Sequence, residues 1–195
     1  MTIRTFIAAA TTATALMASG AHAADCKVDV EDAFDLEQAQ IVEIYDCIKD
    51  SLAEGYGKLD HEIGANYRSW HPTATAPAIP GPHGKRALNT FANDVAVEQY
   101  LKFEEEGVVM PVGSILAKES VTISTKKKKA SIGPLLIMTK MEKGSIPETN
   151  DWLYSGVHGN GKTMKVKQTF CHDCHSAFED QDMLGYPVEE VRISN

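Results

Sequence analysis

The chain has 195 residues, with 19 Lys and Arg against 27 Asp and Glu, a formal net charge of −8 and 43% hydrophobic residues. That length suits one domain with at most a small extension, and the apolar fraction excludes an intrinsically unfolded chain. The acidic balance argues against nucleic acid as a partner, and four cysteines are too few for a disulfide scaffold, so a hydrophobic core must hold the fold.

Arg4, the apolar run FIAAATTATALM at 6–17 and the small-residue site Ala21-His22-Ala23 read as a secretory signal peptide over residues 1–23. A membrane anchor needs about 20 strongly apolar residues; this stretch is shorter and rich in threonine, and no later one is long enough, so no membrane span is expected. Export implies a periplasmic, oxidising setting in which free thiols tend not to persist. Cys26 and Cys47 flank an amphipathic run, and a disulfide between them stabilises by about 3 kcal/mol, less any strain.

From Leu36 to Tyr56, Leu36, Ala39, Ile41, Ile44, Ile48 and Leu52 recur at helical spacing, and Gly55 and Gly57 end the pattern. The helix gives an N-terminal segment over 24–62, leaving 63–195 for the main domain. Pro72–Pro82 holds four of the eight prolines and is an irregular extended connection. Ala87–Ala92 reads as a strand, followed by a helix capped at Asn93 or Asp94, running to Glu106 and ended by Gly107. Val112–Ser124 alternates as a strand: Ile115, Ala117, Val121 and Ile123 share one face, with Val112, Leu116, Lys118 and Thr122 on the other. Lys126–Lys129 reads as a solvated hairpin loop, and Gly133–Met141 and Trp152–Val157 as further strands. Asn160-Gly161 marks a tight hairpin whose return strand is Thr163–Thr169. The expected class is α+β: a mainly antiparallel sheet, an N-terminal helical segment and a C-terminal helix.

The C-terminal helix carries Cys171-His172-Asp173-Cys174-His175, and C-x-x-C-H is the spacing that attaches one c-type haem. Two thiols on one helical turn add to the vinyl groups, and His175 supplies an axial imidazole to the iron. His172 points away and reads as a polar rim residue. Zinc is disfavoured because no second Cys or His pair sits at finger spacing, and thioredoxin-like chemistry because no βαβ pattern surrounds the motif. Met183 follows His175 by eight positions, too short a loop to reach the far face, while Met110, Met138, Met141 and Met164 sit in apolar runs. A five-coordinate or weakly ligated iron is therefore expected, which points to reaction or gas binding before electron relay. Strand-like alternation over 110–170 excludes the four-helix scaffold of cytochromes c′.

The chain resembles the cytochrome P-460 family. Asn66-Tyr67-Arg68-Ser69-Trp70, Met110-Pro111-Val112-Gly113, Ala117-Lys118-Glu119-Ser120, Gly133-Pro134-Leu135-Leu136-Ile137-Met138, Asp151-Trp152-Leu153-Tyr154 and the terminal C-x-x-C-H carry the resemblance over roughly 60–195. The resemblance implies an antiparallel β domain with flanking helices, commonly a homodimer. It also implies a periplasmic haem enzyme that oxidises hydroxylamine, yields nitrous oxide and passes electrons to an acceptor cytochrome. By the same resemblance Lys118 aligns with a lysine that cross-links the haem. Relatives without that link, the β-sheet cytochromes c′, bind nitric oxide instead. A Met-ligated electron carrier is the third reading.

From the residues alone, Lys118 reads equally as a strand lysine reaching water. Thr139 stands where many relatives carry glutamate. Glu119, Glu142 and Glu148 are distal acid candidates whose plainer reading is a surface carboxylate. Arg86, His71 and His83 are further distal candidates.

Overall fold

Three side chains repeating at Ile41, Ile44 and Ile48, with Leu52 and Tyr56 one and two turns on, give α1 (Gln38–Gly57) one apolar stripe and fix which face it buries. The computed structural model describes residues 25–193, so the signal-peptide reading of 1–23 lies outside the described residues. Glu37 and Gln40 close a capping box at the start of α1, with the Glu37 amide donating to Gln40 Oε1 at 2.9 Å. Cys26 and Cys47 form a disulfide, their Cα atoms 5.8 Å apart. It ties α1 to an N-terminal segment that pairs with the sheet through Lys27 and Lys129.

After α2 (Glu62–Asn66) comes a six-stranded antiparallel sheet, which with these helices makes the domain α+β as expected. Its strands are β1 (His71–Pro72), β2 (Arg86–Ala92), β3 (Ile115–Ser124), β4 (Lys129–Ile132), β5 (Leu135–Lys140) and β6 (Trp152–Val157). The order is β1-β2-β3-β5-β6, with β4 on the far half of β3. β3 thus has two partners on one edge, β5 along 115–118 and β4 along 121–124. The switch occurs at Gly133, whose amide donates to the Ser120 carbonyl at 2.8 Å. A side chain there would stand 2.4 Å from Ser120 Oγ, so only glycine fits.

Strand alternation divides the core in two. Ala117, Val121, Leu135, Ile137 and Val157 face α1 and pack with Ile44, Ile48, Leu52 and Tyr56. Leu116, Trp152 and Tyr154 face the other way, packing with Tyr100, Met110, Met183 and Leu184. Burying each large apolar side chain contributes about 1.5–3 kcal/mol.

Two expected elements differ. The helix expected to reach Glu106 is only α4 (Val97–Tyr100). Asn93 Oδ1 does accept from the Ala96 amide, but Tyr100 turns inward against Phe103 and Tyr186, and Phe103 adopts a φ of 50°. Glu104, Glu105 and Glu106 would also have met the negative end of a longer helix. The return strand expected over Thr163–Thr169 is a single bridge, Val157 to Thr163. The turn before it forms as expected: the His158 amide donates to the Lys162 carbonyl at 2.8 Å, and Gly161 takes a φ of 82°.

The described residues include no helix long and apolar enough to cross a membrane.

Candidate functional site

What replaces the return strand sets the position of α5 (Gln168–His175). Gln168 at its first turn uses its side-chain amide as a surrogate strand. Oε1 accepts from the Tyr154 amide at 2.8 Å, and Nε2 donates to the Tyr154 carbonyl at 2.7 Å. Two bonds to one residue of edge strand β6 fix both position and tilt of the helix. Nothing in the apolar pattern signals this role for Gln168.

His175 is 9% exposed at the last turn of α5, and its Nδ1–H donates to the Met183 carbonyl at 2.7 Å. A carbonyl can only accept, so the proton sits on Nδ1 and the lone pair on Nε2 is free for a metal. Burial, chiefly, and the nearby Lys118 ammonium lower the His175 imidazole to about 4, keeping it neutral at pH 7. Met183 is buried, and its backbone lies on the Nδ1 side of His175.

Asp182 holds that carbonyl in place. It is 4% exposed, accepts from Lys140 Nζ at 2.6 Å and the Met110 amide at 2.8 Å, and its own carbonyl takes Trp152 Nε1 at 2.9 Å. Sequence reasoning missed Asp182; its only signal is an acidic residue beside a buried methionine.

Cys171 and Cys174 are free thiols, one half-buried and one exposed, while the other two cysteines are bridged. Burial and the neighbouring Cys174 push the Cys171 thiol up. Around the motif Phe170 is 74% and Phe178 37% exposed, and the buried Tyr154 Oη, Tyr186 Oη and His172 Nδ1 have no hydrogen-bond partner. The Tyr154 ring lies 5.3 Å from that of His175.

Lys118 projects from β3 toward this same side. It lines an apolar cleft with Ala78, Leu88, Thr90, Tyr186 and Val191, and Nζ donates to the Gly185 carbonyl at 3.5 Å. Desolvation lowers its amine to about 8, far enough to leave about a tenth of it neutral at pH 7.

Glu119 corrects the plainer reading, a surface carboxylate. It is fully buried on the α1 face. Tyr45 Oη donates to it at 2.6 Å, Arg68 approaches at 2.6 Å, and Tyr67 Oη donates as well. Burial, with Glu119 adding to it, raises the Tyr67 hydroxyl well above its usual range. The sheet lies between this carboxylate and Lys118. Glu142 and Glu148 are exposed. Thr139 pairs with Ile115 and so lies on the α1 face of β5. His71 pairs with Asp94 at an exposed site. Arg86 donates from Nη1 to the His83 carbonyl at 2.6 Å. His83 lies near His175.

Two free thiols and a neutral imidazole with its outer nitrogen available, set among exposed aromatic surface, fit a haem. With the antiparallel sheet beneath, they define a c-type haem protein of the β-sheet class. The chain matches the cytochrome P460 family over residues 64–185 and belongs to that family. No curated protein matches it.

Proposed function

We propose that this protein is an exported haem c enzyme that oxidises hydroxylamine, its mature chain beginning after Ala23 and acting in the periplasm. The observation that carries the reading is that the desolvated Lys118 amine is close enough to act electrostatically on His175, whose Nε2 is free and whose helix carries two free thiols.

Cys171 and Cys174 would hold the haem by thioethers, and His175 would bind its iron through Nε2. The haem supplies the one-electron redox chemistry. The Met183 carbonyl keeps Nδ1 protonated and gives His175 anionic character as a donor. Lys118, neutral in part, would join the porphyrin edge with loss of one N–H and one ring C–H proton, the two electrons passing to an external two-electron oxidant such as a peroxide. The apolar cleft of Ala78, Leu88 and Val191 excludes bulk water and admits a small polar molecule; electrons leave to a periplasmic acceptor cytochrome.

That same apolar wall favours a second reading, a non-enzymatic protein that binds nitric oxide, a neutral diatomic. The ferrous absorption spectrum of the holoprotein separates the two. A strongly red-shifted Soret band that survives denaturation, with a mass change beyond two thioethers, supports the lysine link. It should revert to an ordinary haem c spectrum in Lys118→Arg. An ordinary spectrum in the unmodified protein retires the link and favours gas binding.

A further inference from the structure

Polar control of the His175 imidazole passes through a single atom. Two rings pack beside it, Tyr154 with centroids 5.3 Å apart and His83 of the turn α3 (Pro82–Lys85) at 6.2 Å, and neither hydrogen-bonds to it. Among the described residues the ring's one hydrogen-bond partner is the Met183 carbonyl.

The backbone brings that carbonyl round at a steric penalty. Asp182 and Met183 take φ of 51° and 66°, two successive left-handed residues without a glycine. Such conformations persist only where the surroundings over-determine them. Local support comes from the Asp182 amide, which donates to the Glu179 carbonyl at 3.0 Å, and the Met183 amide, which donates to that of Phe178 at 2.8 Å. The rest comes from the sheet. Lys140 Nζ, at the end of β5, donates to Asp182 Oδ1 at 2.6 Å and to the Asn150 carbonyl at 3.0 Å, and lies 5.1 Å from the centre of the Trp152 ring. Trp152, the register partner of Lys140 on β6, donates from Nε1 to the Asp182 carbonyl at 2.9 Å. The Lys140 side chain is 11% exposed and that of Asp182 5%. A buried ion pair gives little net stability over apolar side chains of the same volume, so what this one holds matters more than what it contributes.

We propose that Lys140, Asp182 and Trp152 are positioning residues for the iron: they fix the Met183 carbonyl against His175 Nδ1–H and so set how strongly His175 donates to the metal. The inference rests on the haem reading above and deepens it by naming what sets the potential of the site. A firm carbonyl acceptor gives the imidazole anionic character, which favours ferric over ferrous iron. Loosening the anchor weakens that hydrogen bond and shifts the balance toward ferrous.

The test reads the midpoint potential of the holoprotein and the iron–histidine stretching frequency of its ferrous form. Charge and position act here with different signs. Trp152→Phe changes no charge, and Lys140→Met removes a positive one, which through the field alone would favour ferric iron. Positioning shifts both variants toward ferrous, by about threefold in the ferrous-to-ferric ratio for Trp152→Phe and about tenfold for Lys140→Met, with a lower stretching frequency in each. Lys140→Arg keeps a cationic donor and should recover most of the original potential. An unchanged potential in Trp152→Phe, or a shift toward ferric in Lys140→Met, overturns the assignment and leaves the haem reading intact. Either variant decides alone if the other fails to mature. Matured unmodified protein carrying no covalent haem overturns both readings.

Discussion

Glu119 and Lys118 are adjacent in sequence and live in different worlds. The carboxylate is completed by Tyr45, Tyr67 and Arg68 in a dry core; the amine sits across the sheet in the apolar cleft. A buried carboxylate stripped of partners, or a buried guanidinium stripped of its carboxylate, is strongly destabilising. Glu119→Leu should therefore lower stability by about 2–4 kcal/mol, read as a shift in the urea midpoint. Part of Arg68 reaches solvent, which holds the loss toward the lower figure. Lys118 behaves in the opposite sense. In the apoprotein its folded pKa of about 8 lies below the unfolded value, so between about pH 8 and 10.5 the unfolded state binds more protons. Its destabilising contribution is present in full at pH 7 and fades as pH rises through that window. Lys118→Met should stabilise the apoprotein by roughly 3 kcal/mol at pH 7, with the gain vanishing by about pH 10.5. A pH series of chemical unfolding curves checks this. The alternation of β3 already separated these two residues in the sequence. What alternation could not supply was the partner set, because Tyr45 and Arg68 reach Glu119 from sequence separations of 74 and 51.

At the scale of elements, local period and turn chemistry were enough wherever an element buries a regular stripe. α1, β2 and β6 fall where their apolar spacing puts them. The failures share one cause, a tertiary contact outweighing local preference. Tyr100 ends its helix by turning into an aromatic cluster, and Gln168 replaces a strand with a side-chain amide. The second case has a direct test. Gln168→Ala removes two hydrogen bonds and leaves two backbone groups of an edge strand without partners. It should lose about 1–3 kcal/mol and raise the exchange rate of the Tyr154 amide, measured by hydrogen exchange. It should also reduce the yield of haem-loaded protein, since α5 presents both thiols. Gln168→Glu keeps one acceptor and should recover part of the protection at Tyr154.

Across the whole molecule, the sheet separates a stabilising half from a chemical one. α1, the disulfide and the Glu119 cluster lie on one face; α5, Met183 and Lys118 lie on the other. Replacing Cys26 and Cys47 together by serine should lower stability by about 3 kcal/mol, seen in guanidinium unfolding. The absorption spectrum of whatever holoprotein forms should be unchanged, because the tether touches nothing on the far face. The candidate site was legible as far as Cys171, Cys174, His175 and Lys118, which announce themselves by motif or by resemblance. Gln168 and Asp182 were hidden, because each acts through backbone groups that carry no residue identity.

The two-faced strand has one more effect. A slip of β3 by one position would drive a carboxylate into oil and lift the amine away from its cleft in the same motion. The two errors cannot be made separately, so the anionic cluster behind the sheet acts as an indexing pin: a chain that has seated it has already aimed its lysine.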